Sequence, residues 1–305
     1  MHKKILLRLL TSALVLWLAA SATFVAIHAL PGRIEDVLAG DLTYPGLREA
    51  ISAQWGLNQS LGWQYTHYLL RLAHGDLGTS YVMQQAVTQI LASQIWPTVQ
   101  LALAAGLLAA LLAVTVATLT AGRGAVSRRV ASTVELTLTS TPVFWLGMLL
   151  LIAFSFQWRW FPVSGAIGWK SLVLPAVTLA LPTAGVLSQV MREALEQALE
   201  QPFVTTIRAR GLGELALRLR HVLRHALLPV ITLGGWLIGS LLGGAVITEK
   251  MFGRPGIGSV TLNAVTSQDL PVVLAVVLLA AFIHVVISTL LDVAYLFIDP
   301  RLSTA

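Results

Sequence analysis

The sequence predicts an all-α polytopic membrane protein that crosses a bilayer six times. Three observations predict it: a scarcity of charge, six long apolar runs, and basic residues gathered between particular runs. Of 305 residues, 56% are hydrophobic and 11% charged, and the mean hydropathy is +0.78. A soluble domain carries about 25% charged residues, so this chain lacks the charge to wet a globular surface. It has no cysteine, which excludes disulfides, thiolate metal sites and cysteine nucleophiles. The net charge of +6 reads as a basic inner face rather than as affinity for nucleic acid.

A spanning helix needs about 20 predominantly apolar residues. The runs at residues 5–30, 95–120, 134–156, 172–190, 227–247 and 271–298 qualify. The first follows Lys3 and Lys4 and includes Arg8. It is longer than the ~7–15 apolar residues of a signal peptide and is read as an uncleaved N-terminal helix, residues 1–30. Residues 31–94 have a mixed composition, with Glu35, Asp36, Asp41, Glu49 and Asp76, and are expected to form an external segment. The third run is the weakest, because Glu135 and several Thr and Ser precede Pro142. The fourth holds Pro175 and Pro182, which spanning helices tolerate when neighbours satisfy the freed carbonyls.

Residues 191–226 separate the fourth and fifth runs and hold six arginines. Leu212, Leu215, Leu219, Val222 and Leu223 recur there at helical spacing. Gly211 and Gly213 interrupt the pattern, and Pro202 suits a helix start. The reading is helix, break, helix. Such a segment either lies on lipid headgroups or meets a partner.

With the N-terminus inside, 13 of the 20 basic residues fall on the cytoplasmic side and 7 outside. Three of the seven lie in the long first loop, where the positive-inside rule is weak. The chain is therefore read as N-in and C-in, with residues 299–305 a cytoplasmic tail.

The chemistry of an enzyme is missing from the pattern. There is no G-x-x-x-x-G-K-[ST], no H-E-x-x-H and no G-x-S-x-G. No catalytic residue, cofactor site or metal site is expected. His221 and His225 are spaced to share a cation, but the surrounding arginines would repel one. His284, Glu135 and Asp292 are read as structurally paired within or near the spans. Two stripes of small residues stand out. Gly235, Gly239 and Gly243 recur every fourth residue in the fifth run; Ala105, Ala109, Ala113 and Ala117 do so in the second. Such stripes let helix backbones approach closely in lipid, within the bundle or against a second subunit.

Several blocks carry a family resemblance. Arg208, Ala209, Gly211 and Leu212, then Arg220, His221, Leu223, Arg224, Ala226 and Leu227-Leu228-Pro229, are similar to T-x-R-A-K-G-L followed by R-H-x-L-R-N-A-L-L-P. His225 stands at the Asn, and Thr206 and Ile207 stand where small residues are common. Trp55-Gly56-Leu57-Asn58, Gly75-Asp76-Leu77-Gly78-Thr79-Ser80, Pro142-Val143-Phe144-Trp145-Leu146-Gly147 and Trp160-Phe161-Pro162-Val163-Ser164-Gly165 follow in family order. Gly243-Gly244-Ala245-Val246 with Glu249, Phe252, Pro255, Gly256 and Gly258, and finally Asp299-Pro300-Arg301, complete the set. Pro31-Gly32-Arg33 departs from the common P-G-D. The whole chain resembles the first permease subunit of bacterial ABC importers of the dipeptide, oligopeptide and nickel class.

That resemblance implies a type I ABC importer permease fold in the bacterial inner membrane, with a five-helix core at residues 95–298. It implies that loop 191–226 docks on an ATPase through Phe203, Thr206, Ile207, Arg208, Arg210, Gly211 and Leu212. It implies a homologous second permease, two cytoplasmic ATPase subunits that carry ATP and magnesium, and an external solute-binding protein. Peptides, nickel or metal chelates are the expected cargo. An ion-coupled secondary transporter is the alternative; it would commonly show related halves and midplane charges, and the basic loop would then lack a purpose.

Overall fold

A computed structural model describes residues 2–29, 34–39, 45–80 and 82–298. Some side chains of the first, second, eleventh and last helices lie outside that description, Asp292 among them. So do residues 31–33 and 299–305, where two blocks of the resemblance fall. Packing divides the chain into two units, Met1–Trp96 with Gly256–Leu290 and Pro97–Pro255 with Leu291–Ala305.

The first unit begins with α1 (His2–Ala29), followed by α2 (Ile34–Ala39), α3 (Leu47–Trp55) and α4 (Leu61–Ala73). Strands β1 (Thr79–Ser80) and β2 (Gln85–Ala86) pair antiparallel and lead into α5 (Val87–Thr120). Helix α4 starts where the Ser60 hydroxyl accepts the Trp63 N–H at 3.4 Å, an N-cap. It stops before Gly75 and Gly78, both at positive φ, where a Cβ would be strained. Asp76 ties this turn, accepting from Arg71 Nε at 2.8 Å and from the Gly78 N–H at 2.9 Å. The Arg71 bond holds the Asp76 carboxyl below its ordinary value. Two tyrosine hydroxyls of α4 reach α1: Tyr65 to Ser21 and Tyr68 to Thr23, each at 2.7 Å. Ile27, Ala39, Leu47 and Ile51 form one core with Leu270 and Leu274 packed on it. Val87, Ile90 and Leu91 form another with α12 (Ile257–Thr266) and the start of α13 (Leu270–Ile298).

The second unit contains the rest of α5, α6 (Ala125–Ser140), α7 (Val143–Leu150), a π-helical stretch Leu151–Gln157, and α8 (Lys170–Leu199). Then come α9 (Pro202–Ala209), α10 (Glu214–Leu217), a π turn Arg218–Val222 and α11 (Leu223–Met251). Ala105, Ala109, Ala113 and Ala117 are wholly buried. They meet Leu179, Ala180, Ala184 and Met191 of α8 and Leu237 and Leu241 of α11. The alanine stripe is thus the internal seam of this unit, where methyl side chains let three helices close together.

The glycine stripe faces the other way. Gly239 and Gly243 are exposed, and a Cβ at either would meet no atom of the chain within 4 Å. Gly244, one position off the stripe, is the one set against α8, with Leu179 at 3.0 Å.

The third apolar run, residues 134–156, is bent within its length: α6 and α7 with the π-helical stretch after it meet at 102°. Thr141 is extended, at φ −79° and ψ 124°, because a following proline disfavours the helical region. Pro142 then begins a new helix rather than continuing the old one. Among the described residues, four further helical stretches are long and apolar enough to cross a membrane: Leu10–Ala29, Val87–Thr120, Lys170–Leu199 and Leu270–Leu291.

Candidate functional site

The basic segment after α8 folds as helix, break, helix, as its glycines and proline predict. Helix α8 ends at Leu199, Gln201 is extended, and Pro202 opens α9 at its first turn, where a missing N–H leaves nothing unpaired. Helix α9 stops at Gly211, whose φ of +78° only glycine adopts without strain. The Gly211 N–H donates back to the Arg208 carbonyl at 2.9 Å, which satisfies a carbonyl of the last turn. Gly213 is extended and starts α10.

This hairpin of short helices has a packed side and a free side. Val204, Leu217 and Val222 are buried with Met191, Leu195, Ala198, Ala117 and Ala121 in one cluster, and Phe203 and Ile207 lean on it. The Phe203 ring lies 5.0 Å from that of His225. Leu212 is half-buried. Thr206, Arg208, Arg210 and Gly211 are exposed, and a Cβ at Gly211 would find open space. So the residues expected to act together do share this hairpin: Phe203 and Ile207 brace it, Leu212 is half-buried at its turn, and Thr206, Arg208, Arg210 and Gly211 form its outward rim. The stripe of Gly235, Gly239 and Gly243 lies on α11 and is separate from it.

Two details were not legible in the spacing. First, Leu215 and Leu219 are exposed at 52% and 45%, while Arg218 is buried at 6%. The π turn at Arg218–Val222 adds a residue to the helical repeat and rotates the stripe that a 3.6-residue period would bury. Arg218 donates to the Thr118 carbonyl of α5 at 3.1 Å, so it anchors the hairpin instead of facing solvent. Second, Glu214 bridges two arginines, Arg208 at 2.8 Å and Arg218 at 3.5 Å. The Arg208 bond holds the Glu214 carboxyl below its ordinary range. A D/E six residues after the arginine, across a glycine break, is the signal that could have found it.

Deeper in the same unit, Glu135 and Arg192 pair, as expected for an acid near a span. Arg192 donates to both Glu135 oxygens at 2.6 Å, with 7% and 4% of the two side chains exposed. Glu249, met in the sequence only as part of a motif, is wholly buried and accepts from Thr98 Oγ1 at 2.6 Å. Among the described residues, no group of three or more His, Asp or Glu side chains is placed to hold a metal.

An exposed basic hairpin is thus braced on a bundle of apolar helices. Residues 109–304 match the family of binding-protein-dependent transport system inner membrane components. The chain belongs to that family. This permease is 34% identical over 299 residues to the glutathione transport system permease protein GsiC of Salmonella choleraesuis (strain SC-B67), covering 98% of each chain. It is 33% identical over 296 residues to the protein of the same name from Escherichia coli (strain K12), covering 97% of each. Its fold resembles a chain of the MetNI methionine ABC transporter in an inward-facing conformation. The TM-score is 0.55 at 16% identity, over 69% of this chain and 97% of that one. The permease is therefore an inner-membrane subunit of an ABC importer with the type I fold, and a transport subunit rather than an enzyme.

Proposed function

We propose that this permease forms part of the translocation pathway for a short peptide or peptide-like solute, and that its α9–α10 hairpin docks on a cytoplasmic ATPase subunit. The observation that carries the docking is the hairpin's division into a buried brace and an exposed rim of Thr206, Arg208, Arg210 and Gly211. Guanidinium groups there can offer forked donors to carboxylates or carbonyls of a partner. The substrate class rests on the 34% identity to glutathione permeases, since glutathione is itself a short peptide. Nickel or metal chelates have no such support. In this reading a binding protein delivers the solute outside, two ATPase subunits hold ATP and magnesium inside, and ATP binding favours one facing of the bundle by differential affinity. The broken α6–α7 pair and α11 join the four straight helices to make six crossings, N-in and C-in, with residues 31–94 outside. The glycine stripe of α11, open in this chain, meets the homologous second permease.

The test is Gly211→Asp in the assembled transporter with its binding protein, in proteoliposomes. Aspartate strains the +78° turn and sets an acid among arginines. Solute uptake and binding-protein-stimulated ATP hydrolysis should both fall, by about 5- to 150-fold, the range of a typical coupling energy. Gly124→Asp, at another glycine with open space around it, should leave both intact. Unchanged stimulation in Gly211→Asp would make the hairpin a lipid-surface element instead.

A further inference from the structure

The hairpin hangs from the end of α8, and α8 is fastened to α6 by a series of contacts that run antiparallel along the two helices. At Gly185, a Cβ would lie 2.8 Å from Thr139 Oγ1 and 3.0 Å from the Glu135 carbonyl oxygen, so the two backbones nearly touch. One turn on, Ser188 Oγ donates to Glu135 Oε1 at 2.8 Å. Next, Arg192 grips both Glu135 oxygens at 2.6 Å and reaches Ser132 Oγ at 3.1 Å. Nearer the hairpin, Glu196 meets Arg128 at 3.4 Å. Only the Glu135–Arg192 pair is buried among these charges; the Arg128 side chain is 64% exposed.

The adjacent face of the same α8 turns carries Met191, Leu195 and Ala198 into the cluster that holds Val204, Leu217 and Val222 of the hairpin. Two sides of one short stretch of α8 therefore meet the hairpin and α6. Helix α6 in turn ends at the 102° break before α7, where a small rotation of one arm redirects the other.

We infer that Glu135 and Arg192 are positioning residues for energy coupling: their buried bidentate pair makes α6 follow α8, so that movement of the docked hairpin reaches the α6–α7 break. A forked guanidinium–carboxylate contact fixes orientation as well as distance, which a packing contact between apolar helices in lipid does not. An ion pair replaced as a whole by apolar residues often leaves stability unchanged, whereas loss of one partner strands a buried charge. Glu135 also borders an apolar hollow of about 500 Å³ lined by Leu112, Val116, Leu138 and Leu181, so a leucine there finds apolar neighbours. The pair can therefore be removed without removing the fold.

This inference rests on the docking role of the hairpin, and the experiment separates the two. The whole transporter is assembled with Glu135→Leu/Arg192→Met, and solute imported per ATP hydrolysed is measured in proteoliposomes, beside Gly211→Asp. The double variant should assemble, keep its stimulated ATP hydrolysis, and import less per ATP by about 2- to 30-fold, the range of mutations that alter coupling between sites. Arg192→Lys keeps the charge but not the fork, and should show the same defect in milder form. It supplies the measurement if the double variant fails to assemble. A normal import-to-hydrolysis ratio in whichever of these variants assembles would reduce the pair to a structural clamp and overturn the inference. Intact stimulation in Gly211→Asp would instead remove the docking role on which it rests.

Discussion

At the scale of single residues, position relative to backbone decided what spacing could not. Gly185 and Gly239 are both helical glycines, yet a Cβ at Gly185 collides with α6 while one at Gly239 meets nothing. Gly185→Val should therefore destabilise the isolated chain by about 1–3 kcal/mol, the usual cost of overpacking. Thermal unfolding in detergent measures this, and an unchanged midpoint would contradict the close α6–α8 approach. Glu214 is a second case. Nothing in the helical spacing of the segment marks it, yet it holds Arg208 and Arg218. Glu214→Gln should cost at most about 1 kcal/mol, as for other exposed ion pairs, while freeing Arg208 and altering the salt dependence of ATPase docking. In the turn after α4, Asp76 has its carboxyl lowered by Arg71, so its contribution is present at neutral pH. It is lost as pH falls below the ordinary value of 3.8 through the lowered one. Acid below about pH 4 should thus loosen the turn after α4, a change Asp76→Asn should mimic at pH 7; hydrogen exchange at Gly78 reads both.

Among elements, those governed by one dominant local signal were legible. Pro202 and Gly211 bound α9 as their chemistry dictates, and the alanine stripe of α5 forms a close helix contact within the bundle, one of the two places its period allowed. The bend in the third run was not legible from hydropathy, which does not register that Thr141, preceding proline, is extended. Which face of the second hairpin helix is buried was not legible, because nothing in the residue types announces the π turn at Arg218–Val222. The glycine stripe had two equally good readings in sequence, and the open space beside Gly239 and Gly243 places no helix of this chain against them. Gly239→Leu should leave insertion and folding of this chain unchanged and lower its recovery with the second permease on co-purification. Equal recovery would leave that face to lipid.

For the molecule as a whole, composition alone placed it in a membrane, since too few charges exist to cover it in water. Sidedness comes from arginine placement and is directly testable in a chain without cysteine. Cysteines at exposed Ser60 and Ser267 should react with an impermeant thiol reagent added outside sealed cells; cysteines at exposed Gly124 and Gln201 should react only after lysis. Labelling of Gln201→Cys from outside would invert the topology and detach the hairpin from any cytoplasmic ATPase. The cargo was the least legible property, because the sequence pattern describes helices and docking and names no groups that contact solute. One contrast, alanine along the inner seam and bare glycine along the outer face, bears on how such a subunit is made. The alanine seam closes within this one chain, so its packing needs nothing from outside, whereas Gly239 and Gly243 leave bare backbone open to whatever lies beside them in the bilayer.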